Sequence, residues 1–433
     1  MRLALLVLFI LMPAQAFAAA LTLSGTLNGR EIVVELTQPS DGAVAGRYVY
    51  LDTGGDIPLV PVSHNGGTWV LNEEAVCGET DCKLGDTGEV IDAPIAAVWE
   101  LSYDAKALHA TGTRTVQVGK AKAQPLELAL IAWRKLGPSE EATALGLHDR
   151  SMQLSYMDEW PLDWTSAPYE MMLMDVPLEG QTDQEMEGHS YNYVVDPRTK
   201  FAFPRAVSFA DGSSVEAVNR ILADRHARMN LSAFDCLALQ YASYGVDSEW
   251  SIRGGFLGDY DSENVELTYL SPRLVSWTQA GSLWCTGAHP YNHLDSYTYD
   301  VATGEPVNAG DFLADWVPRE WEAEADQIAD TDLAFENPDA YHWGPGLDLI
   351  AFVRERIPSD VFTGEAELDE TCYSDKALGE RLDIRFSAGP SVVFTVNGYP
   401  HVFSVCTTDL FTVPLEEIRH LLKPEALAYF PGL

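Results

Sequence analysis

Two histidines four positions apart, His289 and His293, are the first side chains whose type and spacing suggest chemistry. With His342 or His401 they would supply enough imidazole for zinc. Yet Pro290 follows His289 and removes the helical geometry that makes two such histidines a metal signal. The expectation is therefore no metal, with His289 packing and hydrogen-bonding inside a turn. The run Asp259 to Glu266 places carboxylates at alternate positions, as a calcium loop does. An EF-hand needs Gly at its sixth position and Glu at its twelfth; Asn264 and Leu270 stand there, so the run reads as a solvated hairpin turn. No G-x-S-x-G elbow occurs, and Ser391 lies at a strand entry. No Gly-rich phosphate loop occurs either. No catalytic residue and no cofactor are expected. With 65 acidic residues in the chain, paired carboxylates remain the alternative chemistry: a cell-wall hydrolase. A structural accessory subunit is a third reading.

The six cysteines, Cys77, Cys82, Cys236, Cys285, Cys372 and Cys406, make an even set that favours three disulfides in an oxidising compartment. Zinc is the competing reading, but C-x4-C at Cys77 and Cys82 is loose for it and lacks a second close pair. Cys77 with Cys82 is the natural local loop. Pairing by region then sets Cys236 with Cys285 and Cys372 with Cys406.

Export is also written at the start of the chain. Arg2, the apolar run Leu3 to Met12, and small residues at Ala16 and Ala18 form a secretory signal peptide over residues 1–18. That run is too short to cross a bilayer, and nothing later supplies the length a membrane helix needs. The expected location is periplasmic or extracellular. With 65 acidic against 27 basic side chains and a net charge of −38, the chain repels phosphate backbones and anionic lipid, and favours basic partners.

The elements that must position these residues follow from periodicity. From Leu21 to about Leu128, short alternating runs rich in β-branched and aromatic residues are separated by Gly turns, which predicts an all-β domain, sandwich or barrel, over residues 19–135. Its last strand is expected at Pro125 to Trp133. A linker with a short helix near Ser139 to Leu147 occupies 136–168. Trp160 and Trp164 in that linker argue for docking against a neighbour. An α+β domain with a mainly antiparallel sheet flanked by helices fills 169–433. Its expected parts are a strand at Tyr169 to Val176, a second near Tyr191 to Val195, and a helix begun by a Ser213 and Glu216 capping box. Strands in FDCLALQYASYG, EWSIRGGFLGDY, NVELTYLSPRLVSWTQAG and HLDSYTYDV come next. Helices are expected at Pro318 to Ala329 and Gly346 to Ile357, then the hairpin LDIRFSAG with SVVFTVNGY, and a last helix LEEIRHLL opened by Pro414.

The segment Trp284 to Leu313 carries a turn, Thr286, Gly287, Ala288 and His289. A strand end at Tyr299 and Asp300, a hairpin at Thr303 and Gly304, and a close at Asp311 to Leu313 follow. It resembles a family of bacterial envelope domains of unknown function. It is similar to the C-terminal domain of the RsiV-type anti-sigma factor that senses lysozyme, and of some peptidoglycan deacetylases. Gly389 to Leu422 resembles the closing strands and helix of that family, so the resemblance spans Tyr169 to Leu433. Here the second Gly of the turn is missing, and Pro290 stands where the family often has Gly, which stiffens the loop. The resemblance implies recognition: a non-catalytic binding protein for a basic, lysozyme-like protein or for peptidoglycan glycan. The expected surface is Trp284, Gly287, Ala288, His289, Tyr291, Tyr297 and Tyr299. Alternation puts Tyr297 and Tyr299 on one strand face, where core packing competes with binding. No oligomeric state is assigned.

Overall fold

The computed structural model describes residues 19–38, 43–65, 67–77, 82–85, 90–117, 122–137, 139–156, 160–245, 262–283, 291–430 and 433. Residues 1–18 and the segments Asp259 to Asp261 and Trp284 to Pro290 lie outside them. The chain divides into two compact units, Met1–Asp175 with Ala238–Ile252, and Val176–Leu237 with Arg253–Leu433. Overall it combines helices with mainly antiparallel strands.

In the first unit, β1 (Ala19–Leu27) and β2 (Arg30–Gln38) form a hairpin. Its turn residues, Asn28 and Gly29, both take positive φ, 55° and 80°. An Asn-Gly pair adopts that conformation at low cost, and its twist matches the strands it joins. β3 (Gly46–Tyr50), β4 (Ile57–Asn65), β5 (Thr68–Glu74), β8 (Ile95–Asp104), β9 (His109–Val116) and β10 (Ala123–Lys135) continue the sheet, and β10 returns to β1 to close an eight-stranded barrel. A short hairpin, β6 (Lys83–Leu84) with β7 (Val90–Asp92), stands apart from it.

Alternate residues fill the barrel: Leu23, Ile32, Val34, Tyr48, Leu71, Trp99 and Leu101 are all essentially inaccessible. Trp99 Nε1 donates to Glu73 at 2.7 Å, satisfying the one polar atom of the largest interior side chain. Outward-facing residues are covered in places by α1 (Ala144–Tyr156) and α2 (Pro168–Met174). Residues of the returning segment, Ala238, Tyr241 and Tyr244, pack with Ala144 and Ile57.

In the second unit, a sheet is built from β11 (Glu179–Gly180), β12 (Gln184–Met186), β13 (His189–Val195) and β14 (Ala202–Ser208). The long helix α3 (Glu216–Ala238) lays Val218, Ile221, Leu222, Met229 and Ala233 against Phe203 and Trp277. Trp277 belongs to the second sheet, β15 (Ser262–Leu270), β16 (Leu274–Leu283) and β17 (Tyr291–Asp300). β18 (Trp316–Glu320), α4 (Thr331–Glu336) and β19 (Tyr341–Pro345) follow. Then come α5 (Leu347–Arg354), α6 (Ala366–Tyr373), α7 (Asp375–Arg381), and the sheet of β20 (Leu382–Ser387), β21 (Ser391–Val396) and β22 (Thr408–Pro414). Their apolar faces merge in a core around Phe312, Leu349, Val353, Leu378, Phe386 and Phe394.

Several sequence expectations are corrected. Tyr169 to Val176 is no strand: Pro168 opens α2, and Tyr169 and Leu173, one helical turn apart, are both buried. FDCLALQYASYG is the end of α3 and a 3-10 turn at Ala242–Tyr244, because Met229 and Ala233 continue the helical face that packs on the sheet. The Ser213 capping box does not form. Ser213 bonds Asp211, and Glu216 N is met by Ser214 Oγ. The helix expected from Pro318 is strand β18, paired with β19, and the LEEIRHLL helix is reduced to a 3-10 turn at Arg419–Leu421. The strands expected in NVELTYLSPRLVSWTQAG and HLDSYTYDV do form and pair in sequence, the first run folding back at Ser271 as β15 and β16 and β16 pairing with β17, while EWSIRGGFLGDY lies outside the described residues.

Cys77 and Cys82 are bonded, as are Cys372 and Cys406, each with Cα atoms 5.2 Å apart. Cys236 is also disulfide-bonded. The expected partner, Cys285, lies outside the described residues.

Candidate functional site

Of the expected binding surface, Trp284, Gly287, Ala288 and His289 fall outside the described residues, and Tyr291 is described only as the first residue of β17. Tyr297 and Tyr299 are placed by the register of β16 and β17, which sets Tyr297 opposite Trp277 and Tyr299 opposite Val275. Both rings stack on the Trp277 indole, with centroids 5.4 Å away. Trp277 is fully buried and Tyr299 is 5% exposed. Tyr297 is partly buried against the same core, with the Arg225 guanidinium 4.9 Å above its ring. These tyrosines pack the core between sheet and α3.

The same sheet face continues into a polar end. Glu263, Gly281 and His293 share one rung, and Val265, Gln279 and Asp295 the next. His293 Nε2 lies 3.4 Å from Glu263, with both side chains almost inaccessible. Burial, helped by Glu263 and opposed by His293, pushes the Asp295 carboxyl up. No group of three or more His, Cys, Asp or Glu among the described residues is arranged to hold a metal.

A second set of polar side chains is buried on the outer wall of the barrel. Arg47 of β3 donates to Glu35 at 2.7 Å, Asp56 at 2.8 Å, Ser151 at 2.6 Å and Glu170 at 2.6 Å. His148 Nδ1 lies 3.0 Å from Asp56, and Tyr169 donates to Asp56 at 2.7 Å. The composition suggests a serine triad, but the geometry does not. Ser151 donates to Glu170 at 2.6 Å. Burial opposes ionisation of Glu170, yet Arg47 and Arg134 overcome it and hold the carboxyl low, so it is a weak base. The network clamps α1 and α2 onto the barrel.

The surface best equipped for recognition lies in the second unit, between β18 and β19. From Glu320 to Asp339 the chain carries eight carboxylates and no Lys or Arg, and all eight are exposed. Large apolar side chains stand among them: Trp321 is 64% exposed, Phe335 71%, Ile328 49% and Leu333 48%.

These side chains are held in place. Asp330 caps α4 through the amides of Asp332 and Leu333. Trp321 Nε1 donates to Asp339 O at 3.1 Å, and its ring lies against His342. Phe335 packs on Trp343 at 5.2 Å. Lys376 brings one cation to this face, 3.6 Å from Glu324. Exposed indole and phenyl rings are thus fixed among eight carboxylates, with Lys376 beside Glu324.

No family model matches the chain, and no curated protein matches it.

Sequence reasoning passed over this face because 320–329 read as a helix. The signal that would have found it is the run of acids interrupted by Trp321, Ile328, Leu333 and Phe335, with no basic residue to neutralise it.

Proposed function

We infer that the protein is an exported, non-catalytic binding protein that recognises a basic protein through the acidic, aromatic face of residues 320–343. The observation that carries this reading is the coincidence of eight exposed carboxylates with the exposed rings of Trp321 and Phe335. Ring burial would supply affinity, while the carboxylates speed and select the encounter. The chain's net charge of −38 acts in the same direction at longer range. The leader-like segment at 1–18, the disulfides and the absence of a membrane-spanning helix among the described residues fit an exported protein. The resemblance to lysozyme-sensing envelope domains supports a small basic enzyme as the partner class.

The test is calorimetric titration of the mature chain, disulfides intact, with a lysozyme at low and moderate salt. Saturable one-to-one binding is expected, weakened about tenfold or more in Trp321→Ala and Phe335→Ala. Undetectable binding at low salt would overturn the reading, as would binding that neither substitution weakens.

A further inference from the structure

A groove of about 1090 Å³ runs along the end of β10 in the first unit. Its wall begins with Ile131 and Trp133, which alternate outward on that strand and are 43% and 60% exposed. Helix α1 lends Asp149, Arg150 and Gln153 to a second wall, and the segment after it lends Trp160, Trp164, Thr165 and Ser166. The Trp164 indole is 47% exposed. Arg150 lies 4.0 Å above the Trp160 ring, and its Nε finds no hydrogen-bond partner among the described residues.

A core would hide the indoles of Trp133 and Trp164, because each exposes a large apolar area to water. Here three tryptophans line a single groove, with three carboxylates, three cationic side chains, a carboxamide and hydroxyls among them. That mixture discriminates among occupants. A nucleic acid would find aromatic platforms to stack on, but Glu140, Glu141 and Asp149 offset the groove's Arg134, Lys135 and Arg150, and a chain of charge −38 repels phosphate at longer range. An apolar peptide would cover Arg150 Nε without giving it a hydrogen-bond partner, at a cost. A pyranose ring satisfies both kinds of wall. Its C–H face is apolar and covers an indole, and each of its hydroxyls both donates and accepts, matching Asp149, Gln153, Arg150 and Ser166. The groove has room for several rings in succession.

We propose that the groove lined by Trp133, Trp160 and Trp164 is a binding site for an uncharged glycan chain, with Arg150, Asp149 and Gln153 reading its hydroxyl or amide groups. The site lies in the other unit from the acidic face and does not depend on the basic-protein reading.

The experiment titrates the mature full chain with chitohexaose and cellohexaose, reading tryptophan fluorescence and calorimetric heat. Saturable binding of at least one hexasaccharide is expected. Trp133→Ala and Trp164→Ala should each weaken it about tenfold while leaving Tm unchanged, since both rings are exposed. Trp321→Ala should leave it unchanged. If either groove variant lowers Tm, Arg150→Ala and Gln153→Ala on α1 report the same loss. Failure of both sugars to bind at millimolar concentration overturns the proposal. So does binding indifferent to these variants, or a groove that takes a polyanion or an apolar peptide and neither sugar.

Discussion

Arg47 and Glu170 lie 123 residues apart in the chain and meet at 2.6 Å on the outer wall of the barrel, both side chains wholly inaccessible to water. Tyr169 beside Glu170 lies under the same guanidinium, 4.0 Å from ring to cation, and its hydroxyl reaches Asp56. Glu35 accepts from Arg47 and also from Arg134, which in turn binds Glu140. Strands β2, β3 and β10 and helices α1 and α2 are thus tied through two guanidinium groups.

Removing a partner from such a network leaves buried charge uncompensated. Arg47→Met, which strips three carboxylates of their shared cation, should destabilise the protein by about 3–5 kcal/mol. Glu170→Gln should cost less, because Arg47 keeps Glu35 and Asp56. Urea unfolding followed by far-UV circular dichroism measures both, and an Arg47→Met midpoint equal to wild type would remove the clamp from the account.

His226 gives the second unit a pH dependence of known sign. Burial, aided by Arg205, lowers its pKa from 6.5 to about 4. Its Nε2 faces Phe201 O at 3.2 Å and its Nδ1 faces Arg205 at 3.2 Å, an arrangement that suits the neutral ring. Between those two pH values the unfolded chain binds a proton that the folded chain refuses. Stability should therefore fall as pH drops from 6.5 towards 4, at about 1.4 kcal/mol per unit for this group. The ring resonances of His226 should titrate near the lower value. A normal titration near 6.5 in the folded protein would refute the assignment.

A second acid-sensitive contribution comes from the first unit. The Asp56 carboxyl is held well below the usual range by Arg47, His148 and Tyr169, against the opposing effect of burial. A depressed carboxylate adds stability that is complete above its unfolded pKa and is lost as pH falls through the folded one. Its loss therefore begins below about pH 4, under the His226 window. Asp56→Asn should flatten the unfolding free energy below pH 4 and leave the slope from 6.5 to 4 intact.

The two disulfides whose partners both lie among the described residues close loops of different size. Cys372 and Cys406 are separated by 34 positions, Cys77 and Cys82 by 5. Loop-closure entropy gives about 4 kcal/mol for the longer loop and about 2 for the shorter. The double substitution Cys372→Ala with Cys406→Ala should thus lower the denaturant midpoint more than Cys77→Ala with Cys82→Ala. The reverse order would show that strain or unfolded-state structure outweighs chain entropy.

Gly310 and Gly304 make a controlled pair for packing. A methyl group at Gly310 would stand inside the buried Trp316 indole, whereas at Gly304 it would meet open space at φ +77°. Gly310→Ala should cost about 2–3 kcal/mol by overpacking, and Gly304→Ala about 1 kcal/mol for the left-handed backbone. Thermal unfolding of both variants decides the order.

Local patterns in the sequence determined the elements whose physics is local. The period-two runs from Leu21 to Leu128 became barrel strands, Asn28-Gly29 became the turn that joins the first two, and LDIRFSAG with SVVFTVNGY became a hairpin. Cys77 pairs with Cys82 and Cys372 with Cys406 as their positions in the chain suggested. Where a segment's partner is distant, the local pattern misleads. Tyr169 to Val176 has the composition of a strand, yet it is helical because Tyr169, Glu170 and Leu173 must reach one buried wall, and only a helical turn brings them to the same side. Alternation put Tyr297 and Tyr299 on one strand face with core packing favoured over a groove, and Trp277 of β16 stacks with both rings. The acidic face of 320–343 and the tryptophan groove were likewise set by the tertiary structure. Burial belongs to the surroundings that the folded chain assembles, so the same indole is core at Trp277 and surface at Trp133.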